Sequence, residues 1–317
     1  MARIYTLLLT GVVIAATSSL LIRWAGAVPF AVIAFYRLFI SIAVLIPFHI
    51  YRNGISASSF QRLRWQYILA GLFLAAHLIT WIASLQMTTI ANSIFLEGTH
   101  PLFAALFSAI FLKEFPRKTT LPLFFLAGIG MFLIVSSDFG LRETRILGDF
   151  LAISSAAFLA LYLMIARMYK AEPDFAKYLI QVYGAASAFC LIYLLVVGDK
   201  LVGYPPIGWI MIVLLALGPN LVGHSLLNWA SRHIEIYKVN LALLLEPVLA
   251  TIGGMAFLYE FPSLLLGGGV DHPVRGAVDL YRKQVNVARP GIPIKDCFEG
   301  SPQGKQHPVG ERQKVKG

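Results

Sequence analysis

Residues 65–96 read WQYILAGLFLAAHLITWIASLQMTTIANSIFL, 32 consecutive positions without Asp, Glu, Lys or Arg. A helix crosses the roughly 30 Å of membrane hydrocarbon with about 20 residues, so this run exceeds what one crossing needs. Further uncharged runs cover Ile4–Ile22, Thr119–Ser137, Phe150–Ala166, Tyr178–Gly198 and Leu201–Ser231. The 317-residue chain is 58% hydrophobic and 13% charged, whereas soluble domains carry about 25% charged residues. That balance excludes a soluble enzyme, a disordered hub and a secreted disulfide module. Only helices and closed barrels satisfy their backbones in lipid, and a barrel would show short alternating segments. The reading is therefore all-α integral membrane.

Taking Gly, Pro and charge clusters as punctuation, spans are expected near 4–22, 28–50, 66–87, 91–112, 118–137, 148–166, 176–198, 207–228 and 237–259, nine transmembrane helices in all. The first is a span and no signal peptide, because its apolar part is long and no small-x-small cleavage site follows. Cys190 and Cys297 form no disulfide framework and no metal motif. If the N-terminus is cytoplasmic, the inner segments carry Arg3, Arg52, Arg62, Arg64, Lys113, Arg117, Lys118, Arg167, Lys170, Lys177, Arg232 and Lys238. The outer ones then carry Arg23, Arg142, Arg145 and Lys200. This bias predicts a cytoplasmic N-terminus in a plasma (cell inner) membrane. The net charge of +10 is read as topology and contact with anionic membrane lipids, with no nucleic acid involved.

Beyond Glu260 the text changes. Phe261–Val270 is uncharged but too short to span, and residues 267–317 are polar and basic, a composition expected to be disordered. Nine spans would leave this basic tail outside, against the charge rule.

An offset of 146 aligns Pro101 with Pro247, Ala104 with Ala250, Phe111-Leu112 with Phe257-Leu258, and Glu114-Phe115-Pro116 with Glu260-Phe261-Pro262. A repeat of five spans places successive copies upside down, giving an inverted-repeat helical bundle with 1–137 as the first half and 138–266 as the second. Inverted repeats built around broken helices are a transporter architecture with a midplane site.

On these residues the chain resembles the drug/metabolite transporter superfamily, specifically its EamA-type members. The resemblance rests on Leu96-Glu97-Gly98-Thr99-His100-Pro101 through Glu114-Phe115-Pro116, on Leu245-Glu246-Pro247 through Glu260-Phe261-Pro262, and on Tyr36-Arg37. It covers residues 1 to about 266. It implies ten helices in two inverted halves with both termini cytoplasmic; here the polar tail stands where a tenth helix is expected.

An ionisable group at bilayer depth costs at least about 2.5–3.5 kcal/mol, so it faces a cavity or a partner. Arg37, Glu97 and Glu246 are such groups, with His77 and His224 deep in their spans and His100 three residues from Glu97, on the same helix face. Pro101 and Pro247 are expected helix breaks that free the carbonyls of Glu97 and Leu243. They should push His100 and Glu246 away from helical dihedrals. Each of these residues also has a structural reading: ion pairing within the bundle, packing kinks, satisfied core histidines. Trp81, Tyr36 and Trp229 fit either stacking on a substrate or packing, whereas Glu114 and Glu260 read as helix-end pairs.

The chain carries no HExxH, P-loop, GxSxG or GxGxxG, so no enzyme, cofactor or metal site is expected. The expected function is secondary transport, with export of small organic metabolites (amino acids or drug-like compounds) as the resemblance implies. The substrate would meet Arg37, His77, Trp81, Glu97, His100, His224 and Glu246, with Glu97 as the acid for a coupling proton or cation. Two alternatives are a membrane-embedded enzyme using Glu and His as acid–base groups and a truncated, non-transporting remnant.

Overall fold

A computed structural model of the chain describes residues 2–54, 64–88, 90–115, 143–169 and 174–258, together with 122, 125, 126 and 129. All regular structure among them is helical, and eight helices are long and apolar enough to cross a membrane. These are α1 (Ala2–Trp24), α2 (Phe30–Arg52), α3 (Trp65–Met87), α4 (Asn92–Leu112), α5 (Ile146–Met168), α6 (Phe175–Val197), α7 (Pro206–His233) and α8 (Ile236–Phe257). They fall on eight of the nine expected spans. The ninth, at 118–137, lies outside the described residues except at the four isolated positions just given. Glu260, the Phe261–Val270 run and the 267–317 tail also lie outside them.

The bundle is apolar on both surfaces. Leu8, Val12, Leu38, Leu74, Ile82, Leu194, Ile212 and Leu215 are fully enclosed, while Val13, Phe48, Phe150, Ile192, Val196, Ile210 and Val248 are each more than half exposed. A water-facing surface does not sustain large apolar patches. A lipid-facing one requires them.

In lipid, apolar burial gives little drive for helix association, so close backbone approach must supply it. α3 meets α6 at Gly71, where a Cβ would lie 2.8 Å from both the Val182 carbonyl and the Ala186 nitrogen. α1 meets α7 where Gly11 and Gly223 lie against each other's backbones.

The contacts repeat with the sequence. With the 146-residue offset, α1 corresponds to α5, α2 to α6, α3 to α7 and α4 to α8. α3 packs on α5 as α7 packs on α1, α3 on α6 as α7 on α2, and α4 on α5 as α8 on α1. Two contacts, α2 with α6 and α4 with α8, map onto themselves, so they lie on the internal twofold axis of the inverted repeat.

The breaks repeat as well. The helix that enters α4 runs over Ile90–Glu97, turns at Gly98-Thr99, resumes over His100–Phe107 and ends in a π-helical turn, Ser108–Leu112. α8 is helical over Ile236–Leu243, breaks at Leu244, resumes over Leu245–Gly253 and ends in a π-helical turn, Gly254–Leu258. Gly98 and Leu244 are 146 residues apart, and so are the two π turns. The sequence expectation needs correcting in one respect: His100 and Glu246 are helical. Each proline sits in the first turn of the restarted helix, where its missing N–H costs nothing, so the chain breaks at Thr99, two residues ahead of Pro101, and at Leu244, three ahead of Pro247. Glu97 and His100 accordingly lie on either side of the turn in α4, whose Thr99 keeps right-handed helical dihedrals.

Candidate functional site

The break in α4 is held by local bonds. Gly98 N–H donates to the Ile94 carbonyl at 2.8 Å, and Thr99 donates to the Leu96 carbonyl from both its nitrogen, at 3.1 Å, and its hydroxyl, at 2.7 Å. Against this turn lies the restart of α8: a Cβ on Gly98 would come within 3.2 Å of Pro247 Cγ. The two broken helices thus meet break to break, on the twofold axis, and bring Glu97 and Glu246 close enough for their charges to interact. Both carboxylates are buried.

Arg37 lies on α2, at the other contact on the axis. Its side chain is 0% exposed, and its charge acts on Glu246, Tyr183 and Cys190 and on the rings of His77 and His224. Tyr183 is its counterpart in the repeat, 146 positions on. The Arg37 backbone is fixed by a polar clasp. Ser41 Oγ donates to the Arg37 carbonyl at 2.7 Å and also contacts the Ala216 carbonyl at 2.9 Å. Asn220 Nδ2 donates to Ser41 Oγ at 2.9 Å, and Tyr183 donates to the Asn220 carbonyl at 3.2 Å. This clasp depends on α7, which widens into a π-helical stretch over Ala216–His224 around Pro219. A proline inside a helix leaves carbonyls without their usual donors, and π-helical segments are frequent at functional sites.

The histidines complete the cluster. His77 Nδ1 lies 2.8 Å from Ser155 Oγ on α5, its ring is nearly parallel to Trp81 with centroids 6.0 Å apart, and the His224 ring is also 6.0 Å away. His100 is buried beside Asn240 of α8 and within electrostatic reach of His77. All seven residues expected to meet a substrate are therefore buried and linked in one group. Tyr36 and Trp229 belong elsewhere: Tyr36 packs edge-on against Trp209, and Trp229 against His233.

Sequence reasoning missed Ser41, Tyr183, Asn220 and Ser155, which orient the ionisable groups, and Asn228, which donates to Tyr162 at 2.6 Å. The signal for Asn220 was present: a Pro219-Asn220 pair in a 31-residue uncharged run marks a break with a polar group beside it.

At one end of the bundle a second set of charges joins the halves. Arg167, near the end of α5, donates to Glu114, just beyond α4, at 3.1 Å, the helix-end pairing expected of Glu114. Glu235 contacts Lys238 at 2.6 Å, and that bond holds the Glu235 carboxyl below the usual carboxylate range. These four residues, with Tyr5, His233 and Tyr237, line a cavity of about 600 Å³. A larger cavity, about 830 Å³, opens between α2, α6 and α7 and is lined by His49, Arg52 and Asp174 among apolar residues. Neither cavity is lined by the buried cluster.

A sequence profile described as the EamA-like transporter family matches residues 2–136 and 146–270. A mouse (Mus musculus) protein named Solute carrier family 35 member G1 is 29% identical over 203 residues, 59% of this chain and 53% of that protein. The chain thus spans about half the length of this relative. A protein of known crystal structure, 19% identical, superposes with a TM-score of 0.65 over 82% of this chain and 91% of its own, a likeness of fold.

Proposed function

The chain belongs to the EamA-like transporter family, and on that premise we propose that it is a secondary transporter exporting small organic metabolites, amino acids or drug-like compounds, across the plasma membrane. The halves 1–137 and 138–266 would move against each other about the twofold axis and expose the cluster to each side in turn. The observation that carries this reading is the meeting of two broken helices at Gly98 and Pro247, with buried ionisable groups packed around it. Broken helices at a repeat interface are where transporters bind their cargo. The mouse relative is itself named a solute carrier.

In this mechanism Arg37, His77, Trp81, Glu97, His100, His224 and Glu246 contact the substrate. Glu97 carries the coupling proton or cation, since two nearby buried carboxylates resist being ionised together. The charge bias of the loops sets the N-terminus in the cytoplasm. The Arg167–Glu114 pair then lies at the cytoplasmic end, where its opening would admit substrate.

The test is flux. Purified protein in liposomes, given inward or outward gradients of a labelled amino-acid and organic-cation panel, should move at least one compound. Glu97→Gln should abolish that movement while eluting and melting as the wild type does. Wild-type flux in Glu97→Gln would remove Glu97 from the mechanism.

A further inference from the structure

The arginine of the cluster meets no acceptor among the described residues. Among the described residues, Nε, Nη1 and Nη2 of Arg37 are all enclosed and none lies within hydrogen-bonding distance of a partner. Arginine cannot shed its proton inside a protein. It is therefore a permanent cation with its donors unmet, in a setting where unpaired charge costs several kcal/mol. Glu246 is near enough for its charge to be felt but makes no hydrogen bond to the guanidinium.

The backbone that carries the side chain is fixed in place. Ser41 and Asn220 clasp the Arg37 backbone from α2 and α7, and Tyr183 ties the same clasp to α6. Three helices drawn from both halves hold the backbone from which this unsatisfied guanidinium extends. A purely structural arginine would be expected to spend its donors on the helices around it. Arg37 spends none, and its planar fork matches the two oxygens of a carboxylate or phosphate.

We propose that the transported molecule carries an anionic group, a carboxylate or a phosphate, that binds the Arg37 fork and completes its hydrogen bonds. This assignment rests on the transporter reading and narrows its substrate class to organic anions and zwitterions. It excludes purely cationic drugs as the principal cargo. The clasp residues Ser41 and Asn220 are positioning residues, acting through Arg37.

The experiment uses the full chain, purified in detergent and reconstituted in liposomes. Melting temperature and flux are measured against a panel of small carboxylates (alanine, succinate, benzoate), their methyl esters and amides, glycerol phosphate, and choline as a cation. The expected result is stabilisation and flux by at least one carboxylate or phosphate, absent for its ester or amide. Arg37→Lys, which keeps the charge and loses the fork, should weaken the apparent affinity about 10-fold or more. Stabilisation and flux confined to esters, amides or choline would overturn the proposal and leave transport standing. An anion response unchanged in Arg37→Lys would overturn it too. Neither stabilisation nor flux with any compound would count against both the proposal and the transporter reading.

Discussion

Pro247 of α8 rests on Gly98 of α4: a single added carbon on Gly98 would stand 3.2 Å from the proline ring and 3.1 Å from the Ile94 and Phe95 carbonyls. The two residues hold the breaks of both halves against each other. In the proposed mechanism, rocking of one half against the other passes through this contact.

Gly98→Ala should fold, with the neighbours giving by a few tenths of an ångström, and should slow flux several-fold. Gly98→Val should also destabilise by about 1–3 kcal/mol, the usual cost of overfilling a packed site. Melting temperature and flux, measured together, separate the two effects. Wild-type flux in Gly98→Val would show that the contact takes no part in the motion.

Gly71 tests the fold independently of function. A side chain there meets backbone of α6 at 2.8 Å, and backbone cannot step aside as a flexible side chain can. Gly71→Val should cost more than about 2 kcal/mol, seen as a lower melting temperature and a broadened elution profile.

Asn220 links the π-helical stretch of α7 to Ser41 and the Arg37 carbonyl. Asn220→Leu should cost about 1–3 kcal/mol through donors and acceptors left unmet. Its apparent substrate affinity should fall in parallel with Arg37→Lys, and Asn220→Asp should recover less than half of the loss. Unchanged affinity in Asn220→Leu would mean that the clasp does not position Arg37.

The Arg167–Glu114 pair is part-exposed, with side chains 15% and 30% accessible. Removing one partner should therefore cost no more than about 1 kcal/mol, while changing the rate of flux more than the stability. The exchanged pair, Glu114→Arg with Arg167→Glu, should restore what either single reversal loses. A double-mutant cycle on flux reads this directly.

Much of the architecture is legible in the sequence because the membrane imposes a long-period constraint. Uncharged runs mark crossings, and the offset of 146 that aligns Pro101 with Pro247 also aligns the breaks and the π turns. The depth of Arg37, Glu97 and Glu246 follows from their place within the expected spans 28–50, 91–112 and 237–259. What the sequence does not disclose is which turn of which helix they face, since that depends on packing between distant segments. The clasp of Ser41 with Asn220 joins positions 179 apart, and neither residue carries a local signal as strong as a buried charge. The exact site of each break was misjudged for a related reason. Proline forbids certain conformations behind it, but where the helix gives way is settled by Gly98, Thr99 and the side chains packed on them.

Under the proposed mechanism the cluster on the twofold axis opens to both faces of the membrane in turn, which can be tested without knowing the substrate. In a chain with Cys190→Ser and Cys297→Ser, a single cysteine at His224, buried in the cluster at 7% exposure, is offered a membrane-impermeant thiol reagent from one side and then, in inverted vesicles, from the other. Labelling from each side, slowed when Gly98→Val jams the contact between the breaks, is the predicted result. A cysteine labelled from one side only, or from neither, would contradict alternating access at this site.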